Sequence, residues 1–263
     1  MKLLTKSLAI TLLAGLGFSP LFAEETVNKG LEIAKESKFR DIGWKDSQTE
    51  LNMTLKNQHG QTSTRKMRLK SMEQENDGDK SLTVFDSPRD VKGTAFLSFS
   101  HIETNDEQWL YLPALKKVKR ISSRNKTGSF MGSEFSFEDL TSFEVEKYDY
   151  NLVKEEDLDG EKSWVIEQFP RDKYSGYKRR IVWIDQSEYR VRKTDFYDRK
   201  NTLLKTLTFS DYKLHNEKHW RALKMEMVNH QSGKSTLLEY SGFEIGKGLN
   251  ENEFNKNALK RAR

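Results

Sequence analysis

Residue types able to do chemistry are plentiful in this chain, but their spacing fits few mechanisms. Ser232-Gly233-Lys234-Ser235-Thr236 ends like a phosphate-binding loop. Such a loop needs a further glycine five residues before Gly233, where Val228 stands, and a helix N-terminus to face the phosphate. The expectation is a turn between two strands. His215 and His219 stand four apart, a spacing that suits a metal only on a helix. Glu217 is not next to the first histidine, so the metalloprotease pattern fails and a solvated loop is expected. Paired carboxylates such as Glu155-Glu156 occur among 40 acids, too many for spacing to select two that flank a scissile bond. No Gly-x-Ser-x-Gly elbow is present to expose a nucleophile. These residues point away from an enzyme and call for no cofactor and no metal.

One segment does not read as ordinary surface. In residues 119–140, KRISSRNKTGSFMGSEFSFEDL, a basic run gives way to Gly128 and Gly132 around Phe130-Met131. Ser136 is placed to cap a short helix with Asp139 at its third position, and Phe137 and Leu140 would share its face. Phe130, Met131 and Phe135 are apolar groups on a stretch too rich in glycine for a core strand. Two readings stay open: a crossover that plugs a sheet, or a flap, hinged at Gly128 and Gly132, with a soft lining over a cavity. The basic runs Lys116–Arg120 and Lys178–Arg180 suit phosphates or anionic headgroups, but equally the wet face of a strand, alternating with Val118 and Tyr177.

The elements that must position these groups follow from periodicity. Residues 25–37 carry Val27, Leu31 and Ala34 on one helical face, flanked by Gly30 and Ile33. From Thr49 the period becomes two. Leu51, Met53 and Leu55 alternate with polar residues, a turn follows at Gln58-His59-Gly60-Gln61, and Met67 and Leu69 continue the pattern. The same alternation, broken by short turns, recurs to the C-terminus. Roughly eleven strands result, and a meander of that size curls or closes because a flat one exposes its edges. The fold predicted is mainly β: a curved, half-open antiparallel barrel with one or more helices in its concave side. No linker or repeat divides the chain, so residues 24–263 form one domain.

Residues 1–23 read as a separate leader. Lys2 and Lys6 precede an apolar stretch from Leu8 to Phe18, Pro20 breaks it, and Ala23 supplies a small residue before Glu24. That stretch is short for a membrane span, and no other segment approaches it, so the mature chain is not membrane-spanning. Its removal lowers the net charge from +5 to +3, which with an exported setting argues against nucleic acid as partner. The absence of cysteine excludes disulfides, thiolate metal sites and a thiol nucleophile.

Longer blocks carry a family resemblance. DGDKSLTVFDSPRDVKGTAFLSFSH, QWLYLPALKKVKRISSRNKTGSFMGSEFSFEDL, VNHQSGKST and the closing FNKNALKRAR together resemble the bacterial outer-membrane lipoprotein-sorting-like proteins, related in fold to the periplasmic lipoprotein carrier LolA. The resemblance runs over essentially the whole chain after the leader. It implies a half-open barrel wrapped around helices, a periplasmic location, and an apolar cavity for lipid or lipoprotein acyl chains. It also implies an inner-membrane RND-type lipid exporter as partner. On this reading Trp109, Phe130, Met131 and Phe135 line the cavity or its mouth, with Gly128 and Gly132 as flap hinges. The other function the fold allows is an envelope lipid or lipoprotein sensor without transfer activity. The distinctive segment GSFMGSEFSFEDL aligns with no established lipoprotein-contacting residues of that carrier.

Overall fold

The computed structural model describes residues 20–261. The leader expected over residues 1–23 lies outside the described residues up to residue 19. One α-helix, α1 (Pro20–Asp41), precedes thirteen strands. The first six are β1 (Asp46–Lys56), β2 (Thr62–Met72), β3 (Lys80–Ser87), β4 (Ala95–Phe99), β5 (Glu107–Leu112) and β6 (Lys117–Ile121). A long connection leads to β7 (Tyr148–Leu158), β8 (Glu161–Pro170), β9 (Tyr177–Asp185) and β10 (Val191–Asp198). The last are β11 (Leu203–His215), β12 (His219–Asn229) and β13 (Ser235–Ile245). All thirteen form one antiparallel sheet in the order β6-β5-β4-β3-β2-β1-β13-β12-β11-β10-β9-β8-β7. The expected curved meander is therefore present with slightly more strands. Strand β6 falls in the basic run, where Val118 and Ile121 are the apolar residues and lie on opposite faces, so no alternation is seen.

Period-two alternation puts one continuous apolar set on the concave face. Met67 of β2 faces Leu51 of β1, Met53 faces Leu238 of β13, and Leu238 faces Met225 of β12. Phe85, Phe96, Leu110, Phe196, Leu207 and Met227 belong to the same buried cluster. Two things fill this face. Helix α1 covers its β7–β9 end, where Ile33 and Ala34 pack on Tyr150, Ile166, Val182 and Ile184. The β6–β7 connection covers the rest. On the convex side, Leu249, Phe254 and Leu259 of the C-terminal segment cover Leu82, Val84, Leu97 and Trp109.

The helix can lie this close only because of Gly30. A Cβ there would stand 2.8 Å from the backbone carbon of Asn151 in β7. Gly→Ala in an open helix stabilises by about 1 kcal/mol, but here the added methyl meets backbone that cannot yield without moving the helix. Gly30→Ala should therefore destabilise the protein by roughly 1–3 kcal/mol, read as a lower urea midpoint at unchanged slope.

Candidate functional site

The connection between β6 and β7 fills the concave face rather than arching over it. Phe130, Phe135 and Phe137 are buried in the main cluster, with Met131 and Leu140 half-buried against it. The Phe130 ring lies 5.8 Å from Phe85, 5.1 Å from Phe96 and 5.8 Å edge-on from Phe137. Such contacts between tilted rings add to the gain from burying their area. The segment folds on itself first. The Phe130 amide donates to the Phe135 carbonyl at 2.7 Å, the Ser133 hydroxyl donates to the Phe130 carbonyl, and Ser129 bridges Ser136. The reversal between them takes Met131 at φ 52° and Gly132 at φ 79°. Gly132 suits that left-handed conformation, whereas Met131 adopts it at a cost. Gly128 keeps an ordinary backbone, hydrogen-bonded to Asn125 and Phe137.

Inward-facing polar side chains from six strands hold this plug. The Lys205 ammonium of β11 reaches the Asp139 carboxylate at 2.6 Å and the Glu134 carbonyl at 2.9 Å. Both charged side chains are only 4% exposed. Asp139 also accepts the Ser136 amide at 2.7 Å, the Ser136 hydroxyl at 2.8 Å and the Tyr177 hydroxyl of β9 at 2.7 Å. The helical turn expected at Ser136 is present over Phe137–Leu140, with Asp139 at its third position. Gln108 of β5 donates to the Phe137 carbonyl at 2.8 Å and Arg65 of β2 to the Met131 carbonyl. On the far side Thr236 of β13 accepts the Glu134 amide at 3.0 Å, and Asn229 of β12 donates to the Glu134 carboxylate at 2.7 Å.

The electrostatics follow from this burial. Desolvation is the largest influence on the Asp139 carboxyl and pushes it up. The Lys205 charge and the hydrogen bonds from Lys205, Ser136 and Tyr177 together outweigh it, and Asp139 lies below the usual carboxylate range. Burial first, then the charges of Asp139 and Glu138, push the Tyr177 hydroxyl well up, so it stays protonated and donates. Lys205 escaped the sequence reading, although its position carried a signal. It shares a strand face with Leu207 and Phe209, and an isolated lysine on the apolar face of a strand needs a buried partner.

Beside the plug a cleft of about 400 Å³ remains, lined by Phe135, Ser136, Tyr177, Leu204, Lys205 and Asn229 among others. Its lining mixes polar and apolar groups, and it meets solvent at Thr127, Ser129, Gly132 and Lys234. Of the cavity residues expected, Phe130, Met131 and Phe135 come together at the plug, but Trp109 does not. Leu110 points into the concave face, so its neighbour Trp109 points out, against Phe254 and Leu259 and under the Lys256 ammonium at 4.8 Å. Both faces of β5 are apolar because both are covered, so alternation alone does not say which is inner.

The motifs set aside on spacing stay apart. Residues 230–234 form the turn between β12 and β13. His215 and His219 face each other across a tight hairpin rather than in a solvated loop, and His219 is buried. Burial, with nearby cations, lowers both imidazoles. No group of three or more potential metal ligands occurs among the described residues.

A half-open antiparallel sheet with a helix on its concave face is a LolA-like fold. A LolA superfamily protein from Nitrosomonas europaea shares this fold, with a TM-score of 0.69 at 19% identity over 87% of this chain and 98% of that one. Two solved structures are similar in sequence as well. A domain described as an outer membrane lipoprotein-sorting protein, from Vibrio parahaemolyticus, is 60% identical over 89% of this chain and 100% of its own, with a TM-score of 0.88. A DUF1329 family protein from Desulfovibrio piger is 32% identical over 89% and 99%, with a TM-score of 0.85. A family model described as uncharacterised-protein-like matches residues 77–261. Among proteins of curated function none matches. The chain belongs to the DUF1329, outer membrane lipoprotein-sorting-like family.

Removing one member of the buried pair strands the other. Lys205→Met should cost about 3–5 kcal/mol, and adding Asp139→Asn should restore a large part of it, measured by chemical denaturation. The sign of the pH effect follows from the lowered carboxyl. Its stabilisation is complete above the unfolded value of about 3.9 and is lost as pH falls through the folded one. The stability gap between the native protein and Asp139→Asn should thus be constant near neutrality and shrink below about pH 4.

Proposed function

We propose that this protein is a periplasmic carrier that shields the acyl chains of a lipid or lipoprotein on the concave face of its sheet. The plug, residues 128–140, occupies that space when cargo is absent. One observation carries the reading: the most apolar part of the concave face is closed by a chain segment held on polar tethers, where a structural core would use interlocked strands. Phe130, Met131 and Phe135 stand where acyl chains would lie, and Gly132 with Met131 provides the turn about which the segment moves. Trp109, on the convex face, has no part in the lining.

The energetics suit a carrier without chemistry. Each methylene kept from water is worth about 0.8 kcal/mol, so a dry groove is sufficient to hold a chain. Apolar plug and apolar cargo compete for one surface, and release then needs only an acceptor of lower free energy. The lipoprotein-sorting description of the Vibrio relative supports this class of cargo, and the family resemblance suggests an RND-type exporter as membrane partner.

Protein purified from its native host should yield lipid on organic extraction and mass spectrometry, and that lipid should displace an apolar fluorescent probe. Weakening the tether with Lys205→Met plus Asp139→Asn should raise probe affinity, because less of the population is closed. Leu204→Asp, at the cleft, should lower it. An empty protein blind to the probe would sink the carrier, and unchanged affinity in the tether variant would make the plug permanent core. Cargo bound but never passed to acceptor membranes would identify a sensor.

A further inference from the structure

The strand-to-strand turns are sorted by charge. Apart from the β6–β7 connection, the turns at one end of the sheet are residues 57–61, 88–94, 113–116, 171–176, 199–202 and 230–234. They carry eight Lys and Arg against Asp90 and Asp172. The turns at the other end are residues 73–79, 100–106, 159–160, 186–190 and 216–218. They carry nine Asp and Glu against Arg190 and Lys218. In a chain of net charge +5, the strand turns thus form one cationic and one anionic set at opposite ends of the sheet. Nothing in the alternation that builds the sheet requires this separation.

The cationic end is free to act on something else. All eight of its Lys and Arg side chains are exposed. Arg171 pairs with Asp149, but Arg89, Lys92, Lys116, Lys200 and Lys234 make no ion pair among the described residues. At the tip of the 113–116 turn, Leu115 is 52% exposed beside Lys116. The cleft next to the plug opens at this same end, since Gly176, Leu204 and Lys234 belong to it.

We propose that the cationic end is a docking surface for an anionic phospholipid membrane, and that docking sets the cleft against the lipid. The orientation of the cleft rests on the carrier reading; the docking does not. Cations spread over five turns suit a partner whose charges are diffuse and laterally mobile, as in a bilayer. An acidic protein would instead call for a localised set of positions. Leu115 amid cations adds the apolar contact with which peripheral proteins enter the headgroup layer. The anionic end is repelled by the same surface, so the molecule approaches with one orientation.

Vesicle co-sedimentation tests the assignment. The protein should bind vesicles of phosphatidylglycerol and phosphatidylcholine, bind pure phosphatidylcholine far more weakly, and release in about 0.5 M salt. Reversing four charges, with Arg89→Glu, Lys92→Glu, Lys116→Glu and Lys200→Glu, should weaken binding roughly tenfold or more. The milder pair Lys116→Gln and Lys200→Gln should weaken it in proportion, which covers a fold lost in the fourfold variant. Glu75→Lys with Glu103→Lys, at the other end, should not weaken it. Equal binding to neutral vesicles, no loss in the cationic-end variants, or competition by polyglutamate as effective as by vesicles of equal charge would overturn the proposal. Probe uptake in the same variants separates the two readings. Uptake kept while docking is lost leaves the carrier standing, whereas docking kept by a probe-blind protein removes the carrier alone.

Discussion

Thirteen antiparallel strands in sequence cannot close into a barrel by antiparallel pairing. With an odd number, β6 and β7 at the two edges run in the same direction. β6 and β7 stay unpaired, so the sheet curls without sealing, and an apolar concave face is left that its strands do not cover. The remaining major elements answer that constraint. Helix α1 takes the β7–β9 end, and the β6–β7 connection, the one link that must cross from edge to edge, carries three phenylalanines into the middle. The edges are guarded in different ways. Lys117, Lys119 and Arg120 are exposed along β6, while α1 packs on β7.

The architecture was legible in sequence because it rests on period two. Leu51 stands opposite Met67 across the β1–β2 hairpin, and alternation puts Met53, Leu55 and Leu69 on the same face. β6 was obscured because its side chains mostly face water on both sides of an edge, leaving little contrast to read. The plug was legible in composition but not in placement. Glycines around Phe130-Met131 say that the segment is irregular and apolar, while burial depends on partners some 60 to 100 residues away: Arg65, Lys205, Asn229 and Thr236. Trp109 shows the converse limit. Alternation separates the two faces of β5 but does not name them, and what covers the outer one is Phe254 and Leu259 near the far end of the chain.

The plug combines interactions of opposite character. Its rings gain from burial as any core does, and this term is largely insensitive to direction. Its tethers are directional and nearly fully satisfied, with the Asp139 carboxylate accepting from Lys205, Ser136 and Tyr177. Desolvating an ion pair offsets much of its Coulomb attraction, so Lys205 and Asp139 contribute little net stability over an apolar pair of equal volume. What they contribute is registry: one position in which the plug satisfies every buried polar group, and a large penalty for any partial displacement.

That combination bears on how such a segment would yield to a ligand. A purely apolar plug would slide through many similar packings, and cargo would meet graded resistance. A plug fixed by a buried pair has two arrangements that avoid stranded charge: seated with all partners met, or withdrawn far enough for water to reach both ions. On the proposed carrier reading, acyl chains would replace the rings of Phe130 and Phe135 but would offer nothing to Lys205, so the ammonium would have to be solvated when the plug left. Lys205 lines the same cleft as the solvent-facing Thr127, Ser129 and Lys234. Water entering there would not cross the apolar face, which on the proposed reading would let the charged tether open while the surface that would hold cargo stayed dry.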